Sequence, residues 1–422
     1  MTKLKLIGLR WWIVGLLMLG SIVNYLARST LAVAAPTLLK DLHITTQEYS
    51  WILIVFQCTL MLQPLCGYVM DVIGLKRAFA IFALAWSLVS IAHGWARSWQ
   101  TFAWLRGLLG FAEGSSNPGG MKAIAEWFPA KERGFAGGVF NIGASVGSML
   151  APPLVGFAIL AYNWQSAFVL TGALGLAWVA LWLWLYQPPD RHPALSAGER
   201  DYIAAGQEQH LRSGGLRRSW IGILSQRNFW GIALPRFLAD PTWSTLTFWL
   251  PLYLSTVRHF NLKEIALTAW LPFLAADLGC MFGGVVVAFL QRRGVGLIDA
   301  RRGAFTLGAF LMMGIAFIGY VESPYAAVAL LCLGGFAHQT LSVTVITMST
   351  DLFKRSEVGT VTGLAGTCGN AGVLIFNAVI GVLVVTIGYT PFFIGLAALD
   401  LVGAIALWTL VRERTPCESV IP

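Results

Sequence analysis

The stretch Gly110-Phe111-Ala112-Glu113 returns as Gly335-Phe336-Ala337-His338 after a shift of 225 residues, and the register holds well beyond it. Under the same shift Glu126, Phe128, Glu132, Gly134, Gly138 and Gly147 fall on Asp351, Phe353, Glu357, Gly359, Gly363 and Gly372. Chance similarity between glycine-rich helices would not carry polar loop residues in step. The chain therefore reads as two halves built on one pattern. Where the halves differ is informative: an acid, Glu113, stands in one and a histidine, His338, in the other.

Composition says what kind of halves these are. The chain has 422 residues, 57% apolar and 12% charged, with mean hydropathy +0.69. Soluble chains are about 45–50% apolar and about 25% charged. Halving the charge excludes an ordinary cytosolic enzyme, a disordered chain and a disulfide-stapled secreted module. Crossing a bilayer takes about 20 apolar residues. Polar punctuation sets off six such runs at about 11–35, 50–70, 78–94, 101–125, 134–161 and 165–187. Six more follow at about 229–256, 264–290, 303–320, 326–349, 358–387 and 390–411. Runs of this length are helices, because barrel strands would alternate over about ten residues. The first run is too long for a signal peptide and contains Arg28, so it is a retained helix.

The expected fold is an all-α integral membrane protein, with twelve transmembrane helices in two pseudo-symmetric six-helix bundles. The expected domains are 1–187, a cytoplasmic linker 188–227, and 228–422 with a short tail. Parallel repeats of this kind imply a substrate site near the bilayer midplane between the halves, worked by rocking of one against the other. Gly107-Leu-Leu-Gly110, Gly143-Ala-Ser-Val-Gly147 and Gly279-Cys-Met-Phe-Gly283 fit close helix contacts, since small residues let membrane helices approach. The six cysteines are scattered, without CxxC or metal-ligand spacing. Cys58 and Cys66 share one run, but eight helical residues hold them about 12 Å apart, beyond disulfide reach. No metal is expected.

Charge gives the orientation. With the N-terminus inside, 21 of the 29 Lys and Arg fall on the inner side. Only Lys40, Arg97, Arg258 and Lys263 fall outside, and Arg28, Arg106, Lys122 and Arg236 lie at membrane depth. This asymmetry obeys the positive-inside rule and accounts for the net charge of +9 without nucleic acid. Both termini and the linker are expected in the cytoplasm.

The loop after the second span reads Gly67-Tyr-Val-Met-Asp71-Val-Ile-Gly74-Leu-Lys76-Arg77. It resembles the G-x-x-x-D-x-x-G-x-[KR]-[RK] signature of the major facilitator superfamily. Physically, an acid at a helix end beside basic groups, with glycines for a tight turn, makes a latch that can favour one access state. The equivalent loop after the eighth span keeps Gly284 and Arg292-Arg293 but lacks the acid. Asn24-Tyr25-Leu26-Ala27-Arg28, Arg106 with Glu113, Glu126 to Arg133, and Gly231 to Asp240 resemble the anion:cation symporter branch of that superfamily. Over nearly the whole chain the resemblance extends to the branch's bacterial hexuronate transporters. It implies uptake of glucuronate or galacturonate with protons across the bacterial inner membrane. The expected partners are a sugar-acid anion, protons and the lipid bilayer. No cofactor is expected besides the proton as coupling ion, and the expected working unit is a monomer. Another organic or sugar acid, such as an aldonate, is the alternative substrate. An intramembrane enzyme would need a nucleophile–base pair or metal cluster at depth, and the sequence offers none.

Ionised side chains at membrane depth mark a pathway by default. Arg28, late in the first span, is either a carboxylate clamp, since a guanidinium is a permanently charged bidentate fork, or an arginine snorkelling to the outer interface. The resemblance assigns it the anion contact. Arg236, early in the seventh span, stands four residues before Asp240, so the two can pair along one face. It is either a second clamp oriented by Asp240 or half of a neutral structural pair, and the resemblance favours the clamp. Arg106 and Glu113 are two turns apart on one helix face. Glu113 is the expected proton-coupling site with Arg106 modulating it, the rival being a static salt bridge. His338 is a second proton site, a sugar-hydroxyl partner or a satisfied buried histidine. Gln339 is a partner for the same site or helix glue. Tyr25 and Asn370 are nominated as sugar contacts, with Trp243, Trp249, Gln57, Asn141 and Asn377 behind them. Asp277 and Asp400 read as structural or capping, and Lys122 as snorkelling. Many members of the branch carry an acid immediately before the helix 1 arginine; here Ala27 stands there, so a relay through that acid does not carry over.

Overall fold

The computed structural model describes residues 8–129, 132–205, 220–353 and 355–412. Of the basic residues assigned to the inner side, Lys3, Lys5, Lys131, Arg212, Arg217, Arg218, Lys354 and Arg414 lie outside the described residues. The described backbone is helical, without strands. The first helices are α1 (Leu9–Asp41), α2 (Thr46–Leu60), α3 (Gln63–Ile73), α4 (Leu75–Ala92), α5 (Trp99–Glu113), α6 (Ser116–Trp127), α7 (Arg133–Ala161) and α8 (Trp164–Leu185). The short α9 (Ala197–Ala205) and α10 (Trp220–Leu224) follow, then α11 (Arg227–Ser244), α12 (Leu250–Thr256) and α13 (Leu262–Thr268). The chain continues as α14 (Leu271–Arg292), α15 (Leu297–Met312), α16 (Pro324–Leu352), α17 (Arg355–Ile387) and α18 (Thr390–Leu410).

The polar residues that separate the apolar runs act as helix starts. Thr45, Ser98, Asn163, Asn261 and Ser323 each accept a hydrogen bond from the backbone N–H three residues on. A side-chain oxygen there satisfies an N–H that has no partner within the helix. Ten helical stretches are long and apolar enough to cross a membrane. The other two expected spans, 101–125 and 229–256, are also helical but interrupted, as α5 with α6 and as α11 with α12. These two carry Arg106, Glu113, Lys122, Arg236 and Asp240. Between α11 and α12 the backbone widens into a π-turn over Thr245–Trp249, a feature that often marks functional positions.

The chain divides into two compact units: Met1–Gly214 with Leu250–Trp270, and Gly215–Trp249 with Leu271–Pro422. The division inside the seventh span falls at the end of the π-turn. In the first unit α12 and α13 pack against α1 and α7, with Gly156 facing Ala266. Phe79, Trp86, Trp178, Trp182 and Tyr186 form a contiguous aromatic column between α4 and α8. The second unit is centred on buried Phe229, Ile232, Phe305, Leu341, Met348 and Leu407.

Glycines set how closely the helices approach. A Cβ added to Gly143 would lie 2.5 Å from the Met18 carbonyl oxygen, and one at Gly147 2.5 Å from that of Ile22. Gly110 meets the Phe56 carbonyl at 2.5 Å, and Gly283 that of Thr340 at 2.8 Å. The repeat reappears in this packing. Gly110 sits against the carbonyl of Phe56 in α2, and Gly335 against that of Pro272 in α14. Gly147 sits against Ile22 in α1, and Gly372 against Phe237 in α11.

Candidate functional site

In the first unit, α1 and α5 bring Arg28 and Glu113 together across 85 residues of sequence. The Arg28 Nε donates to Glu113 Oε2 at 3.0 Å, with side-chain exposures of 14% and 0%. Arg28 Nη2 also reaches Asn24 Oδ1 at 3.5 Å. The guanidinium lies over the Tyr25 ring, 4.5 Å from its centroid, and over the Phe56 ring at 5.5 Å. Arg106 approaches Phe56 at 5.6 Å, so one ring is flanked by two guanidiniums. Aromatic faces attract such cations.

Arg106 does not take the Glu113 carboxylate. Its Nη1 donates instead to the backbone carbonyl of Arg28 at 3.2 Å, so Arg106 holds the backbone that carries the clamp arginine. Its Nε and Nη2 are buried without a hydrogen-bond partner, as is Glu113 Oε1. The cluster thus holds more polar capacity than its own residues satisfy, which buried protein groups seldom leave so. Ala27 is buried at 1% exposure and brings no carboxylate.

In the second unit Arg236 and Asp240 pair along α11 at 3.4 Å. Gly366 and Gly369 of α17 leave room for them: a Cβ on Gly366 would lie 3.5 Å from Arg236 Nη1, and one on Gly369 would overlap the Asp240 carboxylate. His338 is 3% exposed and stacks on Trp243 with ring centroids 5.9 Å apart and planes 21° apart. Its Nδ1 has no hydrogen-bond partner, and Arg236 is the charge that acts on it. Asn370 is half-buried on α17, next to Gly369. Gln339 is half-buried on α16 and turned about 100° from His338.

Matching the units through Ile22 and Phe237 sets Arg28 against Trp243 and Arg236 against Ser21. Glu113 already corresponds to His338. The Arg28–Glu113 pair of one unit therefore has a Trp243–His338 stack as its counterpart in the other. Arg236 lies on the corresponding helix, but about two turns from the position equivalent to Arg28.

The latch residues occupy one turn. Gly67 and Asp71 lie in α3, with the Asp71 side chain outside the described residues. Gly74 joins α3 to α4 at φ +85°, where a side chain would be strained. The Lys76 carbonyl accepts from Trp182 Nε1 at 3.0 Å, and Arg77 is exposed. Lys122 Nζ donates to the Met70 carbonyl at 3.1 Å. Trp249 and Asn377, both sugar-contact candidates, bind each other at 2.8 Å.

A second polar cluster was missed because its members are far apart in sequence. Glu199 of α9 accepts from the Leu9 and Arg10 backbone N–H groups at 3.1 and 3.3 Å. It thereby caps the α1 N-terminus, where Gly8 supplies no side chain and a carboxylate is favoured. Arg10 links Glu199 at 2.9 Å to Glu132 at 3.0 Å, and the Tyr202 hydroxyl donates to Glu132 at 2.8 Å. That hydrogen bond holds the Tyr202 proton above the usual phenol range.

Comparison with known proteins gives the family. The chain matches the Major Facilitator Superfamily over residues 17–324 and 294–420. It is 48% identical over 421 residues to the hexuronate transporter of Escherichia coli (strain K12), covering 99% of this chain and 97% of that protein. It is 49% identical over 332 residues to the galacturonate transporter of Dickeya chrysanthemi, covering 78% and 96%. The crystal structure of a bacterial homologue of the human lysosomal transporter Spinster, inward-facing and unoccupied, shares the fold. Its TM-score is 0.74 at 14% identity, with 96% of this chain and 95% of that one covered. The chain is a multi-pass membrane protein, its relatives are transporters rather than enzymes, and it belongs to the major facilitator superfamily.

Proposed function

We propose that the protein carries hexuronates, glucuronate or galacturonate, inward across the bacterial inner membrane together with protons, by alternating access. The observation that carries this reading is the buried Arg28–Glu113 pair at 3.0 Å in a chain so similar to a hexuronate transporter. A substrate carboxylate and Glu113 compete for the same guanidinium. Protonation removes the Glu113 charge and leaves the Arg28 fork for the substrate. Departure of the substrate returns Arg28 to Glu113 and expels the proton. Tyr25 and Phe56 hold the plane of the guanidinium, and Arg106 holds its backbone.

Arg236 supplies a second positive charge for the anion, with Asp240 orienting it. His338, Gln339, Asn370 and Tyr25 serve the sugar hydroxyls and ring. Gly67, Asp71, Gly74, Lys76 and Arg77 act as the conformational latch. The test is uptake of labelled glucuronate by proteoliposomes under an imposed inward proton gradient. The gradient should drive accumulation, and galacturonate should compete better than galactonate or tartrate. Glu113→Gln should abolish gradient-driven accumulation. Full gradient-driven accumulation by that variant would remove the coupling role, and stronger competition by galactonate would make the substrate an aldonate.

A further inference from the structure

Asp240 is bound to Arg236 by a single contact, Nη2 to Oδ2 at 3.4 Å, and among the described residues it makes no other hydrogen bond. The side chains of Arg236 and Asp240 are 16% and 19% exposed, so neither is sealed off. Gly369 of α17 leaves the space that the Asp240 carboxylate fills. The Arg236 Nε is buried without a hydrogen-bond partner. The guanidinium therefore keeps donors for an anion, while its charge is already balanced.

The groups packed round this pair add no further positive charge. α16 brings His338 and α17 brings Cys368, both within reach of the Arg236 charge. Trp243, two turns along α11 from Arg236, is stacked on His338. α18 packs against α11 and brings Asp400, which is 0% exposed. Neither Asp400 oxygen has a hydrogen-bond partner, and Asp240 is the charge that acts on it. Among the described residues this cluster thus holds two carboxyl groups and one guanidinium. A carboxylate that lost the arginine here would stay partly buried beside another acid. Removing one partner of a buried ion pair in this way is strongly unfavourable.

We propose that Asp240 restricts the carrier to monoacids: by holding Arg236, it denies that guanidinium to a second carboxylate. A uronate, whose one carboxylate goes to Arg28, leaves the Arg236–Asp240 pair closed and asks of Arg236 only its spare N–H groups. A sugar diacid carries a second carboxylate. That group gains Arg236 only by displacing Asp240 and stranding its charge next to Asp400. Asp240 is therefore a positioning residue for selectivity, acting through Arg236 rather than on the substrate. This inference rests on the sugar-acid transport proposed above and names what the same site excludes.

The experiment sets gluconate against glucarate as competitors of labelled glucuronate uptake in proteoliposomes. Both are open-chain acids of the same length. Glucarate has a carboxylate where gluconate has a terminal alcohol, so the ratio of their inhibition constants reads charge and not shape. Against the unmodified protein, glucarate should be the weaker competitor. Asp240→Asn should lower the glucarate constant, relative to that of gluconate, by about tenfold or more, because juxtaposed like charges are a strong barrier to a wrong partner. Asp240→Glu keeps the charge and should keep the ratio. A role confined to orienting Arg236 would weaken every anion alike. Glucarate gaining no more than gluconate in Asp240→Asn therefore overturns the proposal. So does glucarate displacing glucuronate from the unmodified protein at least as well as gluconate, a measurement that needs no variant. If Asp240→Asn fails to fold, Asp240→Ser removes the same charge and is read in the same way. Should a variant bind without transporting, the two constants are taken from the thermal stabilisation of the detergent-purified protein by each acid. No glucuronate uptake by the unmodified protein would sink the transport reading itself. Glucuronate uptake with an unshifted ratio would remove only the part given to Asp240.

Discussion

Arg28 is the residue on which most of the site's contacts converge. It takes the Glu113 carboxylate, lies over Tyr25, and has its own carbonyl held by Arg106. A lysine ammonium offers neither a planar fork nor a face to stack. Hydrogen bonds to charged groups contribute about 1.5–3 kcal/mol, and 1.4 kcal/mol is about tenfold in affinity. Arg28→Lys should therefore lower kcat/KM for glucuronate by about 10- to 100-fold, measured as initial uptake. Uptake within twofold of the unmodified protein would exclude the clamp. Much of this was legible beforehand: Arg28, Arg106 and Glu113 stand out as rare charges in apolar runs. Their pairing was not. The seven-residue spacing of Arg106 and Glu113 is visible on one helix, whereas Arg28 meets Glu113 only after α1 and α5 pack. Phe56, one apolar residue among many in the second span, carried no sequence signal.

Among the elements, the glycines give the sharpest expectations. Gly147 has the Ile22 carbonyl and Tyr25 Cβ at 2.5 and 2.9 Å from an added Cβ, while Gly138, on the same helix, has nothing within 4 Å. Overpacking typically costs about 1–3 kcal/mol. Gly147→Ala should lower the thermal midpoint of the detergent-purified protein and Gly138→Ala should not. Equal midpoints would mean that α1 and α7 are not held at the spacing described. Gly147 also touches Tyr25, next to the clamp helix face, so its substitution should slow uptake as well as destabilise. The repeat in sequence predicted equivalent glycine contacts, and Gly110 with Gly335 and Gly147 with Gly372 supply them. The sequence set Arg28 late and Arg236 early in their spans, but did not fix the offset between them. That depends on where each helix is pinned, at Ile22 in one unit and Phe237 in the other.

For the whole molecule, the sorting of Lys and Arg makes a topological prediction. A fluorescent protein fused to the C-terminus should fluoresce, and alkaline phosphatase fused there should be inactive. The reverse pattern would place the C-terminus outside. The Arg10–Glu199–Glu132 cluster ties α9 to the start of α1, so Glu199→Ala should hasten limited proteolysis around α9 in inside-out vesicles. An unchanged rate would mean that the cap does not hold α9. The sequence by itself determined the membrane class, the twelve helical spans and the twofold repeat. Run length, charge sorting and repetition are properties of a line, and a bilayer of fixed thickness reads them directly. Only the tertiary structure decided that Arg28 holds Glu113, that Trp243 and His338 stack in the corresponding place, and that Asp400 is buried without a partner. Those facts depend on how far each helix is rotated about its axis. Close carbonyl–glycine contacts between helices set that rotation, and no single stretch of sequence encodes it.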